Sequence, residues 1–209
     1  MITNLFFIID NMSFRKEKKF KLSISESRSL RGSLLNKGMD ILHPKRIIKS
    51  CYFDTKNLKM YHDSEEGILP RKKIRFRWYN DQTNVSKEIK ISSIEGRYKT
   101  ITPVKSIQLE YLEDYNLCDS DYGLIQPYLL VTYEREYFSY KNLRLTFDTN
   151  ISYESINSIF KFKSRDNECV MEIKTSQTTS EDYLEEIINI QPSRFSKYCR
   201  GILSLTNGI

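Results

Sequence analysis

The stretch KIRFRWY, residues 73–79, alternates between two kinds of side chain. Successive side chains of an extended strand point to opposite faces of the sheet. One face therefore carries Ile74, Phe76 and Trp78, and the other carries three cations and a tyrosine. A half-buried strand usually opposes its apolar face with mixed polar residues, so a face made of cations needs its own explanation. That cationic face consists of Lys73, Arg75, Arg77 and Tyr79.

The same alternation recurs along other predicted strands. A solvated face is the simplest explanation for any single strand, and recurring acid–base pairs are typical of exposed cross-strand ion pairs, which contribute little. Arginine, however, presents a planar fork that matches phosphate oxygens, and its repeated placement favours a phosphate-binding face. For Asp148 a salt bridge, a turn cap and a metal ligand stay open. The charged faces hold Arg15, Glu17 and Lys19; Glu88 and Lys90; Tyr133, Arg135 and Tyr137; Arg144, Thr146 and Asp148; and Glu172 and Lys174.

The pattern of periodicities predicts an α+β chain dominated by antiparallel strands. With 209 residues, no linker and no repeat, we expect one domain over 1–209, folded as a barrel or a strongly curved sheet. A tight turn is predicted at Lys141-Asn142, and Ser25 or Ser27 is expected to cap the first helix. Strands are predicted over 14–23, 47–55, 73–79, 85–91, 127–140, 143–152 and 169–175; helices over 25–38, 104–115, 181–190 and 193–206; and a short helix or loop over 57–68.

Convergence of these charged faces on one cavity would have a physical consequence. Roughly ten cations in a low-dielectric interior would repel one another, so a polyanion is the expected occupant. The carboxylates Glu17 and Glu172 would then suit Mn²⁺ or Mg²⁺ bridging phosphate oxygens. The apolar faces would pack outward against helices.

Composition narrows the partners and the chemistry. The net charge of +6 favours an anionic partner. Four scattered cysteines without a CxxC pair predict reduced thiols rather than zinc, and two histidines give little support for a histidine base. Reduced thiols predict a cytoplasmic protein, and no segment has transmembrane length. Nucleic acid is disfavoured because the aromatic residues lie opposite the cations and offer bases no stacking platform.

Several blocks of the sequence follow one another in an order that is more specific than any one of them. They are RKEKKF (15–20), CYFDT (51–55) followed by the K-x-R-x-R-W-Y run, KEIKI (87–91), TYEREY (132–137), LRLTFDTNI (143–151), VMEIKT (170–175) and SRFSKY (193–198). Together they resemble the VTC domain, the polyphosphate polymerase domain of the triphosphate tunnel metalloenzyme (CYTH-like) superfamily. The resemblance covers roughly residues 13 to 203.

This resemblance implies an eight-stranded antiparallel β-barrel tunnel that holds triphosphate or polyphosphate with a divalent metal, with flanking helices and a C-terminal helix that closes it. Lys99, or else Arg97, would supply a basic residue after the KEIKI block. The implied metal ligands are Glu172 and Glu17, with Mn²⁺ or Mg²⁺. The implied catalytic residues are Lys19, Arg75, Arg77, Lys90, Arg135, Arg144 and Lys197. The implied substrate-binding residues are Arg15, Lys99, Tyr133, Lys174, Arg194 and Ser196, with Arg194 placed on the C-terminal helix.

The implied activity is synthesis of inorganic polyphosphate from the γ-phosphate of ATP. Hydrolysis of triphosphate, polyphosphate or nucleoside triphosphate is the first alternative, and a non-catalytic polyphosphate-binding module is the second. The expected partners are ATP, polyphosphate or triphosphate, with no nucleic acid. A free-standing domain of this kind resembles bacterial members, and any membrane association would require a separate partner protein.

Overall fold

A computed structural model describes residues 15–80, 84–105, 107–156 and 162–206, and only the backbone of Arg15. Ten strands, four α-helices and one 3-10 helix form the regular structure of this part of the chain. They are β1 (Arg15–Ser23), α1 (Ile24–Asn36), β2 (Asp40–Asp54), α2 (Lys59–Glu66), β3 (Arg71–Tyr79), β4 (Val85–Ser92), β5 (Arg97–Val104), a 3-10 helix (Leu109–Asp114), β6 (Leu117–Asp119), β7 (Gly123–Tyr140), β8 (Leu143–Ser155), β9 (Lys163–Arg165), β10 (Glu168–Ser176), α3 (Glu181–Ile187) and α4 (Lys197–Thr206).

Eight of the strands form one antiparallel path in the order β1-β10-β8-β7-β2-β3-β4-β5, with β6 added to β7 and β9 to β8. The sheet is strongly curved. Strand β1 is at one end of the path and β4 is next to the other end, yet Nζ of Lys90 on β4 lies 3.7 Å from Oε2 of Glu17 on β1. Between β1 and β5, no strand pairing closes the ring within the described residues. The predicted eight-stranded antiparallel tunnel is confirmed, with an open seam.

Apolar clusters on the outer face of the sheet are covered by helices, as predicted. Trp78 and the other apolar residues of β3 pack outward against Met60 of α2 and the 3-10 helix. Within the described residues, no helix has the length and apolar character needed to cross a membrane. A second outer cluster lies under α1 and α3 and includes Phe20, Leu34, Phe138, Leu145, Phe147, Met171 and Leu184.

Helix α4 closes one end of the tunnel. Its Tyr198 ring stacks on Tyr52 with centroids 5.0 Å apart, and Ile202 packs against Leu129 and its neighbours on the inner wall. The Tyr198 hydroxyl also donates to Asp54, whose carboxylate accepts the backbone N–H of two residues at the start of α2. One carboxylate thus joins the closing helix to α2 and the end of β2.

Three predictions of local structure were wrong. Residues 97–104 form β5, and within the predicted helix 104–115 only Leu109–Asp114 is helical, in a 3-10 turn. The last helix begins at Lys197 rather than 193, because Ser193 is bound to the edge of β1: its N–H donates to the Lys19 carbonyl at 2.8 Å, and its hydroxyl accepts from the backbone of β1. The cap of α1 is Ser23, which forms a reciprocal capping box with Glu26.

Two glycines allow a matched test of how tightly α4 packs. A Cβ at Gly201 would lie 2.5 Å from a methyl carbon of Leu129 and 2.7 Å from the ring of Tyr153, whereas a Cβ at Gly32 in α1 has nothing within 4 Å. Alanine gains about 1 kcal/mol over glycine in a helix, but overpacking costs about 1–3 kcal/mol. We therefore expect Gly32→Ala to raise the free energy of unfolding and Gly201→Ala to lower it by about 1 kcal/mol. Urea titration followed by Trp78 fluorescence measures both, and stabilisation by Gly201→Ala would contradict the close packing of α4.

Candidate active site

The strand registers bring the predicted site residues onto the inner face of the tunnel. Directly opposed residues of antiparallel strands share a face. Arg75 is opposed by Tyr52 on β2 and Glu88 on β4, and Lys174 on β10 is opposed by Glu17 and Arg144 on its two neighbours. The inward face carries Glu17, Lys19, Arg75, Arg77, Glu88, Lys90, Lys99, Tyr133, Arg135, Arg144, Glu172 and Lys174.

Glu88 is the anchor for three of these cations. Its carboxylate accepts from Arg75, lies 2.9 Å from Nζ of Lys99 and 3.5 Å from Arg77, and is 4 % exposed. Burial alone would raise the pKa of Glu88, but Arg75, Arg77 and Lys99 lower it to about 2. The guanidinium groups of Arg75 and Arg77 are therefore fixed by a carboxylate that stays ionised.

Asp148 plays the same part for the cations next to α4. Its two oxygens accept from the Nε and Nη2 of Arg135 at 2.6 and 2.7 Å, and one of them also accepts from Nζ of Lys197 at 2.5 Å. Asp148 is fully buried, and the two cations hold its pKa well below the usual range despite that burial. Of the functions left open for Asp148, the structure shows a salt bridge.

The two predicted metal ligands lie next to each other on the inner wall. Burial would raise the pKa of Glu172, but Lys174, Arg135 and Lys19 lower it to about 2. For Glu17, burial and the charge of Glu172 raise the pKa, and the neighbouring lysines reverse this and lower it. Both carboxylates are thus ionised and close enough to repel each other.

Tyrosines complete the inner wall between the cations. Arg75 donates to the Tyr52 hydroxyl at 2.7 Å, and Arg77 donates to the Tyr133 hydroxyl at 3.1 Å. Lys197 lies 4.4 Å from the centre of the Tyr133 ring. The sequence-based argument that aromatic residues lie opposite the cations was therefore wrong for these tyrosines, although both rings are buried and offer no open surface to a base.

The segment that precedes α4, residues 193–196, also reaches the tunnel. Lys19 donates to the carbonyl of Phe195 at 3.2 Å, and Lys73 donates to the Ser196 hydroxyl at 3.0 Å. Ser196, as predicted, therefore faces the cationic wall, although it precedes the helix. Lys73, on the cationic face of β3, is therefore engaged inside the tunnel.

One predicted residue, Arg194, stands apart from this cluster. Arg194 precedes α4 instead of belonging to it, binds the carbonyl of Ser64 on α2, and keeps its side chain 64 % exposed, so the structure does not bring it into the tunnel. The side chain of Arg15 lies outside the described residues. Arg144 is exposed near the end away from α4, with its guanidinium 5.8 Å from the Tyr137 ring.

Sequence reasoning missed two members of the site. Glu88 was noted only as a neighbour of Lys90, and Tyr52 was not considered. Burial would raise the pKa of Tyr52, but Arg75 and Arg77 lower it to about 8. The signal for Glu88 was present, since a carboxylate facing two arginines of the adjacent strand would be expected to pair with them.

Comparison with known proteins gives the family. A family model described as VTC domain matches residues 14–206. The chain belongs to the VTC domain family. No curated protein matches this chain by sequence.

Solved structures agree on the fold of this VTC domain. A Bacillus halodurans protein with a provisional adenylate cyclase name has a TM-score of 0.56 at 13% identity, over 88% of this chain and 94% of its own. A Pyrococcus horikoshii protein has a TM-score of 0.52 at 17% identity, over 92% and 99% of the two chains. At these identities the likeness shows the fold alone.

The anchoring by Glu88 predicts an acid-dependent loss of stability. Because its pKa is lowered from 4.5 to about 2, the stability it provides is complete above about pH 4.5 and is lost as the pH falls toward 2. We expect Glu88→Gln to lower the free energy of unfolding by roughly 3 kcal/mol at neutral pH, with the deficit shrinking on acidification.

Denaturant titrations of wild type and variant between pH 7 and pH 3 would measure this difference. Glu110→Gln, at an exposed position of the 3-10 helix, is the control and should change little at any pH. A Glu88→Gln deficit that is independent of pH would contradict ion pairing as its cause.

Proposed function

We propose that this VTC domain is a phosphotransferase that lengthens inorganic polyphosphate with the γ-phosphoryl group of ATP. One observation carries the proposal: cations from β1, β3, β4, β5, β7, β8, β10 and α4 face a single cavity, and the buried carboxylates of Glu88 and Asp148 fix the positions of five of them. Phosphoryl transfer depends on positioning and electrostatic stabilisation more than on a strong base. A site without histidine is suited to it.

The cations of the inner wall would bind different phosphate groups according to their position in the tunnel. Arg75 and Arg77 lie side by side on β3 and present two planar forks, which suit the non-bridging oxygens of adjacent phosphates. Arg135 and Lys197 share Asp148, so phosphate held near α4 would meet a cation pair whose geometry is already fixed. Fixed cations need not reorganise as charge shifts from the bond that breaks to the bond that forms.

The inner wall fits a divalent metal. Glu17 and Glu172 are adjacent and ionised, and carboxylate oxygens are the ligands that Mg²⁺ and Mn²⁺ prefer. No group of three or more potential protein ligands is present among the described residues, which suits an ion that completes its shell with phosphate oxygens and water. Such an ion would supply charge neutralisation at the phosphates.

Hydrolysis of triphosphate is the second candidate, and Glu17 favours it. Its oxygens lie 3.5 Å from Nζ of Lys19 and 3.7 Å from Nζ of Lys90, beyond ordinary hydrogen-bond lengths. An ionised carboxylate with such loose partners can orient a water molecule. The same tunnel would then release orthophosphate instead of building a chain.

Product analysis separates the candidates. Purified protein is incubated with ATP and Mn²⁺, and the products are run on a polyphosphate-stained gel beside an orthophosphate assay. We expect long chains from the wild type and a loss of roughly a hundredfold or more in rate for Arg75→Ala and Glu172→Ala, because each removes a preorganised charge. Arg31→Ala, whose side chain pairs with Glu136 on the outer face, is the control that should keep full activity.

Each other product pattern has a definite meaning. Orthophosphate without chains, lost in the same two variants, would make the protein a tunnel triphosphatase. Tight binding of triphosphate with neither product would make it a binding module and would refute the phosphotransferase proposal.

Triphosphate affinity should depend on the charge of Lys90. Burial, together with the neighbouring charges of Lys19 and Arg97, lowers the pKa of Lys90 to about 8 despite the opposing effect of Glu17. The ammonium is protonated below that pH, so affinity should fall as the pH rises through 8. Calorimetric titration of triphosphate between pH 7 and pH 9 measures this. Lys90→Arg, which keeps its charge throughout, should flatten the profile, and a flat wild-type profile would contradict a direct contact between Lys90 and the anion.

A further inference from the structure

The end of the tunnel away from α4 carries a second group of cations and rings. Along β7 the inward residues run from Leu129 and Val131, packed against α4, through Tyr133 and Arg135 to Tyr137. Beyond Arg135 this wall is no longer sealed by the helix. The residues at this end are Arg46, Tyr79, Tyr137 and Arg144, which we call the distal mouth.

Arg46 belongs to the inner face and is held in place there. It is opposed on β7 by Arg135, and its guanidinium carbon lies 5.5 Å from the centre of the Tyr79 ring and 5.8 Å from that of Tyr137. The guanidinium also contacts Nε2 of His43. Because Nδ1 of His43 lies 2.9 Å from the Pro44 carbonyl oxygen and donates to it, Nε2 is the acceptor for Arg46.

The distal mouth differs from the rest of the tunnel in its charge balance. Arg75, Arg77 and Arg135 each pair with a buried carboxylate. Arg46 and Arg144, in contrast, have no carboxylate partner among the described residues, and tyrosine or imidazole rings lie beside their guanidinium groups. Two guanidinium groups beside one tyrosine ring, with a third guanidinium opposite in register, repel one another, and an anion between them would offset that repulsion.

We infer that the distal mouth is a binding subsite for the phosphates of a chain longer than triphosphate, and that Arg46 is its principal ligand. This inference rests on the proposed function and adds that the bound anion is a chain longer than triphosphate. The guanidinium groups continue the line of cations beyond Arg135, and arginine forks suit successive phosphate groups.

A nucleobase fits this place less well. The Tyr137 ring is 5 % exposed, and guanidinium groups of Arg46 and Arg144 already lie beside it, so it has no open face on which a base could stack. The uncompensated charge indicates an anion.

The test compares two anions on one variant. Calorimetric titrations in a fixed Mg²⁺ buffer use sodium triphosphate and a long-chain polyphosphate fraction as probes. We expect Arg46→Gln to weaken long-chain binding about tenfold, because a charge-assisted contact is lost. Triphosphate affinity should change by less than about twofold, because the central cations are untouched.

Two further variants control for a general loss of folding. Lys45→Gln removes the adjacent cation, which is exposed and pairs with Glu134 on the opposite face of the sheet, and should leave both affinities unchanged. Arg46→Lys keeps the charge but not the fork and should show an intermediate loss for long chains only. Circular dichroism and thermal midpoints verify that each variant is folded.

The remaining outcomes overturn the inference in distinguishable ways. An equal loss for both probes would make Arg46 a support of the whole tunnel. No loss for either probe, or wild-type binding that does not strengthen with chain length, would show that the distal mouth holds no phosphate while leaving the central site intact. Failure of the wild type to bind either anion would refute the proposed function, and the subsite with it.

Discussion

Two buried carboxylates, Glu88 and Asp148, make this tunnel physically possible. Without them, five cations would face one another in a poorly hydrated space, at a cost of several kcal/mol for each close pair. Each carboxylate lies on a strand adjacent to its main arginine partner, so the ion pairs are fixed by the sheet itself. The cations can then occupy defined positions before any ligand arrives, which is the condition for electrostatic catalysis.

Asp148 has a second consequence, because it links the sheet to the closing helix. Lys197 is the first residue of α4, and its ammonium reaches the same carboxylate that holds Arg135 on β7. Asp54 makes a parallel link through Tyr198 to α2. The helix is therefore attached at two polar points as well as through its apolar packing against the inner wall. Any change in the charge around Asp148 would act both on the cation cluster and on the position of α4.

The sequence was sufficient for every feature that depends on alternation within one strand. The spacing predicted that Arg75 and Trp78 lie on opposite faces of their strand, and they do, because a strand's side-chain period is fixed by its geometry. Which of the two faces points into the tunnel was implied by the family resemblance and not by the spacing. Pairings across strands were not predictable in the same way. Asp148 and Lys197 are 49 residues apart in the chain, and nothing local in either sequence indicates that they meet.

Elements whose structure depends on distant partners were the ones missed. Strand β5 is exposed over most of its length at the edge of the sheet, so it has no apolar face to reveal its period. The start of α4 is displaced to Lys197 because Ser193 bonds to β1, which is about as far away in sequence as this chain allows. Helical spacing would have placed Arg194 on the same face as Lys197. Because the helix begins later, the side chain of Arg194 contacts α2 instead.

The charge balance of the tunnel sets what a ligand must provide. Glu88 carries one negative charge and is shared by Arg75, Arg77 and Lys99, while Asp148 carries one and is shared by Arg135 and Lys197. Each carboxylate therefore fixes its cations without neutralising them. The excess positive charge remains directed into the cavity, and a phosphate chain can offset it without displacing either carboxylate. Rigidity and unsatisfied charge, which usually oppose each other in a buried site, are in this way combined in one wall.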